Sequence, residues 1–443
     1  MKRILFWVLG AGAVCGAVAL AVVAWIVFQP GPTDFAGGHA VELSEYKGPS
    51  PVGVPAEVMG ADIVIRGKYL TEAADCEACH TKPDGVPYAG GRAFKLPFGT
   101  LYTPNITPDR ETGIGQWSDA DFLTAVHKGI APDGSMLYPA FPYASYTQLP
   151  DEDVLAIKAY LFSLKPVHQG TQQNTFAFPY NQRWLMWFWS AFFNSDQRFK
   201  PVQEQSPEWN RGAYLVEALA HCGECHTPRN LMQAMNTRQK FAGGQAEGWD
   251  AYNITPDGDS GVGDWSAADL ANYLSKGHAA GRGTASGPMR EAIELSLSKL
   301  TATDIRAMVT YLRTVPPIKV SGLPKPAEQV SEFTGDNTDV VLGRQIFQGN
   351  CASCHVPAGD GALIEQARLL GNRAVNDPSG INVVQMILSG AGKPASGHPY
   401  MPSFGASYSN AEIAAVTNYL TGHFGSRPSK VNASTVQSQR EQN

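Results

Sequence analysis

The stretch "DCEACH", Asp75 to His80, sets two thiols and an imidazole within five residues, and its reading decides the fold. The pattern returns as "CGECH" from Cys222 to His226 and as "CASCH" from Cys351 to His355, 146 and then 129 residues further on. A five-residue pattern of this composition met three times in one chain is not coincidence. Two thiols three residues apart lie near one helical turn, so both can point at one planar partner. A structural zinc site needs four ligands, usually two nearby pairs, and each cluster here offers three. A redox dithiol has no reason to carry the following histidine three times. The arrangement suits covalent haem c: Cys76, Cys79, Cys222, Cys225, Cys351 and Cys354 as thioether anchors, and His80, His226 and His355 as proximal iron ligands. Three covalently bound haem c groups are therefore expected.

The rest of the composition is consistent with this reading. Of seven cysteines six lie in the motifs, so no disulfide framework is available, and Cys15 sits alone in an apolar run. A net charge of -6 with 17% charged residues gives no basic surface for nucleic acid. Forty-five glycines and 31 prolines point to compact domains rich in ordered loops. After Lys2 and Arg3 comes a 25-residue uncharged run, Ile4 to Phe28, long enough for a bilayer-crossing helix. It is too long for a typical signal-peptide core. The positive-inside rule then puts the chain after Phe28 on the periplasmic side of the bacterial inner membrane, behind a single-pass anchor.

Three units of similar grammar follow. A short helical segment starting with glycine, "GKYLTEAADCEACH" from Gly67, "GAYLVEALAHCGECH" from Gly212 and "GRQIFQGNCASCH" from Gly343, is read as leading into each motif. An amphipathic helix closes each unit, with apolar residues at Val154, Ile157 and Leu161; Ile305, Met308 and Leu312; Ile413, Val416 and Leu420. A tyrosine, Tyr160, Tyr311 or Tyr419, precedes the last leucine each time. The first two units also share "NITPD" (Asn105, Asn253) and "GIGQWSDAD" against "GVGDWSAAD" at a constant offset of 148, an internal duplication. Ser118 and Ser266 read as matching helix caps. Unit three lacks the block and is a more distant relative.

The expected class is mainly α: three tandem class I cytochrome c domains with ordered loops and one N-terminal transmembrane helix. The boundaries are an anchor over 1–30, a linker over 31–60, cytochrome domains over 61–168, 207–315 and 336–426, an aromatic linker over 169–206, a second linker over 316–335 and a polar, mobile tail over 427–443. The aromatic linker reads either as a segment buried between domains or as a contact with a membrane interface or partner.

A six-coordinate haem needs a distal ligand, and methionine suits an electron carrier. Met136, in "SMLYPAFPY", is the one methionine between motif and closing helix in unit one. Met289 is best placed in unit two, since Met232 and Met235 follow the motif too closely. Met401 in "YMPSFGASY" is expected in unit three, with Met386 read as core. His127, His278 and His398 are the rival ligands.

The three motifs, the "NITPD" and "GxGxWS" blocks, "YPAFPY" and the linker "NQRW" together resemble the triheme cytochrome c subunit of membrane-bound dehydrogenases in acetic acid bacteria, over nearly the whole chain. The resemblance implies a subunit with no catalytic site of its own that relays electrons from a periplasmic dehydrogenase to membrane ubiquinone. The long anchor tilts the reading toward the aldehyde dehydrogenase type, whose partners resemble molybdenum-cofactor and iron–sulfur proteins. A quinoprotein alcohol dehydrogenase or a flavin-dependent sugar or gluconate dehydrogenase is the alternative. A self-contained haem enzyme such as a peroxidase, which needs an open iron position, is the reading from another class.

Overall fold

Each unit is built on two helices that cross at a glycine. The computed structural model describes residues 14–18, 21, 24, 31–331, 333, 338–391 and 400–442. In unit one the leading helix Ile63–Ala73 lies against the closing helix Asp151–Ser163; in unit two Pro207–Tyr214 lies against Ala302–Leu312; in unit three Thr338–Ile346 lies against Asn410–His423. The glycines do not start these helices, as the sequence suggests, but sit inside them. A Cβ on Gly67, Gly212 or Gly343 would overlap the backbone carbonyl of Ala156, Ala307 or Ala415, and would press on the Cβ of Tyr160, Tyr311 or Tyr419. Close approach of two backbones is what selects glycine, and it explains why the tyrosine recurs with it. The nine apolar residues of the closing helices are all buried.

The caps fall where the duplication puts them. Ser118 with Asp121 and Ser266 with Asp269 form capping boxes, and Ser409 with Glu412 does the same on the closing helix of unit three. The molecule is mainly helical, with small antiparallel pairs: Ala93–Leu96 with Gly99–Tyr102, Gly244–Ala246 with Trp249–Ala251, and His278–Ala279 with Gly283–Thr284.

Units one and two share one apolar core, in which Leu70 and Val154 pack in the same cluster as Leu215 and Met308. Their contact is reciprocal. Tyr69, two residues after Gly67, donates to Asp304 at 2.7 Å, and Tyr214, two residues after Gly212, donates to Asp153 at 2.6 Å. Asp153 and Asp304 each precede the first apolar residue of their closing helix, so the two units meet as copies do across a two-fold axis. Arg211 completes the Asp304 site through Nε at 2.8 Å and Nη2 at 2.6 Å.

Unit three has its own core around Phe347, Val384 and Ile413. It meets unit two through polar groups. Asn382 donates to the Asp250 carbonyl and accepts from its N–H, both at 2.8 Å; Tyr252 donates to Asp377 at 3.2 Å; Arg373 reaches the Asp259 carbonyl at 2.6 Å.

Two segments expected to be loose are ordered. The 31–60 linker straps the first two units: Ala40 bridges to Val202, Arg211 donates to the carbonyls of Pro51 and Gly53, Val54 is buried, and Phe35 packs on Trp209 and Tyr311. The 427–443 tail forms the helix Ala433–Gln442 on unit three, with Val436 fully buried and Arg440 donating to Asn410 and to the Tyr408 carbonyl. A few residues, among them Val436, Gln439 and Arg440, dock a helix whose composition otherwise reads as solvated.

The aromatic linker carries the helix Leu185–Phe193. Trp189 is buried there, against Tyr143 and donating to the Met232 carbonyl at 2.9 Å, whereas Trp184, Trp187, Phe188 and Phe192 face outward. The buried reading of this segment therefore holds for Phe176, Trp189 and Phe199 and not for these four outward rings. Among the described residues no helix is long and apolar enough to cross a membrane. The anchor expected over 1–30 lies, apart from 14–18, 21 and 24, outside the described residues.

Candidate functional site

The three Cys-x-x-Cys-His segments, more than a hundred residues apart in sequence, line one continuous cavity of about 1840 Å³. Divided among three motifs this is about 600 Å³ each, within the roughly 300–1,000 Å³ that cofactor pockets enclose. All six motif cysteines and all three motif histidines reach it. Each leading helix runs into its motif: directly in unit one, and through one π-type turn, Leu215–Leu219 or Phe347–Cys351, in units two and three. The residue before the first cysteine takes a left-handed backbone at Asp75 (φ 52°) and His221 (φ 36°), which turns the motif back over the cavity.

The histidines are oriented in one way. Nδ1 of His80 lies 2.8 Å from the Pro104 carbonyl, that of His226 2.6 Å from the Tyr252 carbonyl, and that of His355 2.6 Å from the Ala367 carbonyl. A carbonyl only accepts, so Nδ1 carries the proton, and Nε2 is left with its lone pair. Burial lowers the pKa of all three imidazoles, which keeps them neutral. A neutral imidazole with Nδ1 tied and Nε2 free is the form that ligates iron.

This geometry explains the duplicated "NITPD" block. Asn105 and Asn253 follow directly on Pro104 and Tyr252, whose carbonyls hold His80 and His226. Each asparagine is buried, donates at 2.7 Å to the chain leaving the closing helix (Val167 or Ile318 carbonyl) and accepts from the N–H of Thr107 or Thr255 at 2.9 Å. The block fixes the carbonyl that orients the histidine. Unit three lacks it and uses the short 3-10 turn Glu365–Ala367 instead.

Burial pushes the Cys76 and Cys222 thiols up to about 12. A dithiol that works by exchange needs a low thiol pKa, so the redox-dithiol reading fails on chemistry as well as on spacing.

The first two motifs are tied to each other. Arg92 donates to the Ala78 carbonyl inside motif one at 2.6 Å, and across the unit boundary to Glu291 at 2.6 Å and to both oxygens of Glu247 at 3.0 Å. In return, Ser145 of unit one donates to Glu224 inside motif two at 3.0 Å. Motif three joins through the unit-two hairpin: Thr284 donates to the Gln366 carbonyl at 3.1 Å, next to Ala367, which orients His355. Arg92 and Glu291 escape sequence reasoning because they meet across 199 residues: Arg92 stands in an "AGGRA" stretch whose unit-two copy, "AGGQA" from Ala242, has glutamine in its place.

The expected distal residues separate into two groups. Met289 and Met401 line the cavity, and so does Met386, which the sequence assigned to the core. Met136 is 1% exposed, and it is not among the residues lining the cavity. Met235 has its sulfur against Gly223 of motif two, away from the lining. Of the rival histidines, the buried His127 is held by the Leu149 carbonyl at 3.0 Å from Nε2, and His278 is bonded through Nδ1 to Thr284 at 2.9 Å. His398 lies outside the described residues.

Residues 64–165 and 340–423 match the cytochrome c family. The chain is 38% identical over 403 residues to the fructose dehydrogenase cytochrome subunit of Gluconobacter japonicus, covering 85% of this chain and 82% of that protein. It is 36% identical over 383 residues to the gluconate 2-dehydrogenase cytochrome c subunit of Pantoea cypripedii, covering 82% and 86%. It is also 39% identical over 368 residues to a nicotinate dehydrogenase component of Pseudomonas putida; that match takes in 82% of this chain but only 30% of the longer protein.

Proposed function

This chain belongs to the multihaem cytochrome c subunits of dehydrogenase complexes, and on that premise we propose that it relays electrons, through three covalently held haem c groups, from a catalytic dehydrogenase subunit to membrane ubiquinone. It is an electron-transfer subunit without a catalytic site of its own. The carrying observation is the shared cavity, in which three neutral histidines present Nε2 and tie Nδ1 to a carbonyl.

Bound haem iron supplies reversible one-electron storage, and the chain's residues do the rest. The cysteine pairs fix each porphyrin edge. The carbonyls of Pro104, Tyr252 and Ala367 hold the proximal imidazoles in one tautomer and orientation. Met289 and Met401 supply the distal sulfur in units two and three. Arg92, bonded to Ala78, Glu247 and Glu291, fixes the first two sites relative to each other and holds a charge between them.

The partner reading shifts from the one the sequence favoured. The tilt toward an aldehyde dehydrogenase rested on the anchor over Ile4–Phe28, whereas the two relatives matched over most of their own length are named for fructose and gluconate dehydrogenases, and the longer, partly matched one for nicotinate dehydrogenase. The alternative, a flavin-dependent sugar or gluconate dehydrogenase or a quinoprotein alcohol dehydrogenase, becomes the main proposal. The chain is placed on the periplasmic face of the inner membrane, where such a partner and the quinone pool are both in reach.

Purification of the full-length chain from solubilised membranes tests this. A co-purifying flavin- or quinone-containing protein, whose substrate reduces the haems, is the expected outcome. A molybdenum-containing partner would restore the aldehyde dehydrogenase reading, and haems that no co-purified protein reduces would overturn the relay. A pyridine haemochrome assay should count three haem c per chain.

A further inference from the structure

The duplication keeps an offset of 148 from Asn105 to Leu137 and reaches 151 at Asp153 and Asp304, and within that span the distal-side residues of the two units differ. At the offset of 148 that relates "NITPD" to "NITPD", Phe141 stands where unit two has Met289, and Met136 stands where it has Thr284. The backbone makes the assignment of Met136 to Thr284 independently. Ile130 pairs antiparallel with Met136, as His278 pairs with Thr284, and the N–H of Leu137 bonds the Gly129 carbonyl at 2.7 Å as that of Ala285 bonds Gly277 at 2.8 Å. Both hairpins follow a helix closed by a left-handed glycine, Gly129 or Gly277. Met136 is therefore a hairpin residue, buried and outside the lining of the cavity that its neighbour Leu137 reaches. Phe141, like Met289 and Met401, is part-buried and lines the cavity. It also precedes a proline, Pro142, as Met401 precedes Pro402.

From this we infer that the iron of unit one takes no sulfur ligand from this chain, and that its distal side is an aromatic pocket open to a small diatomic ligand. The pocket wall is Phe141 with Leu137, Tyr138 and Tyr146. Phe141 packs 5.6 Å from Tyr146, ring centre to ring centre. The two phenol groups are committed elsewhere: Tyr146 donates to the Ala74 carbonyl at 2.6 Å and Tyr138 to the Tyr180 carbonyl at 3.0 Å. What faces the iron position is thus hydrocarbon, which admits a small neutral molecule and offers it no competing ligand. His221 is the imidazole nearest to competing, since it lines the cavity with its ring 5.3 Å from that of Tyr146, but it is adjacent to Cys222 and belongs to the attachment segment of unit two.

The inference rests on the haem reading of unit one, which the haemochrome count tests separately. With three haem c groups established, carbon monoxide is titrated into the dithionite-reduced full-length chain and the Soret band is followed. About one equivalent should bind per chain. Phe141→Met should abolish that binding and convert a high-spin haem to a low-spin one. Met289→Leu should raise the stoichiometry to about two. Met136→Leu should leave both the spectrum and the binding unchanged. Three six-coordinate haems that bind no carbon monoxide would overturn the inference, as would binding that appears only in Met136→Leu or His221→Ala.

Discussion

Units one and two share a core and exchange buried hydrogen bonds; unit three repeats their helix crossing, has a core of its own and meets unit two through hydrogen bonds such as those of Asn382 and Arg373. The local rule, a glycine beneath a carbonyl at the crossing of two helices, is the same in all three. What differs is which residues the outer faces of the helices carry. The duplicated units carry Tyr69, Asp153, Tyr214 and Asp304 on those faces and bury them reciprocally. At the corresponding places unit three has Gln345 and Glu412, and Glu412 is spent on its own helix cap. Identical architecture therefore gives either a fused pair or a docked module, according to a few residues outside the frame.

The largest test of that contrast is at the crossing glycines. Valine at Gly212 or Gly343 forces the helices apart, and each substitution should cost about 4–5 kcal/mol locally. Gly212→Val should unfold units one and two together, because one core serves both, whereas Gly343→Val should leave that pair folded. Thermal melts with limited proteolysis distinguish these: a surviving fragment near 31–315 is expected only from Gly343→Val.

Next in size is an asymmetry within the fused pair. Asp304→Asn leaves the enclosed Arg211 guanidinium without its counter-charge and should cost about 3 kcal/mol. Asp153 has Tyr214 and the Gly53 N–H as partners but no direct ion pair, and burial raises its carboxyl despite the Tyr214 hydrogen bond. A folded pKa above the unfolded value of about 3.8 means that its stabilising contribution is complete below that pH and is lost as pH rises through the folded value. Asp153→Asn should therefore cost under about 1 kcal/mol at pH 7, and the wild type should lose Tm relative to this variant between pH 4 and pH 7.

The smallest expected effect is at the docked boundary. Asn382→Ala removes two hydrogen bonds to the backbone of Asp250 and should weaken the seating of unit three by about 1–2 kcal/mol. Faster hydrogen exchange confined to 249–251 and 381–389 would report it. Cooperative loss of units one and two would show that the boundary is not the weak one.

Much of the site was legible in the sequence because its chemistry is local. Two cysteines and a histidine in five residues carry their meaning wherever the chain folds, and a constant offset of 148 betrays a duplication without any coordinates. The "NITPD" block was visible as a repeat, but its work, holding the carbonyls that orient His80 and His226, was not, because that contact spans more than twenty residues. The helix of the tail was missed because composition averages over a segment docked by a few residues, among them the buried Val436 and Gln439 and the hydrogen-bonded Arg440.

By itself, then, the sequence determined that three Cys-x-x-Cys-His motifs recur along the chain and that two of the three units are copies. Tertiary structure decided which methionines reach the cavity, how the copies fuse and how the third unit docks. The physical reason is range. Attachment is written into adjacent residues, whereas a distal side chain arrives from some sixty residues away on a hairpin or loop, where the tertiary fold decides that Leu137 and Phe141 line the cavity and Met136 does not.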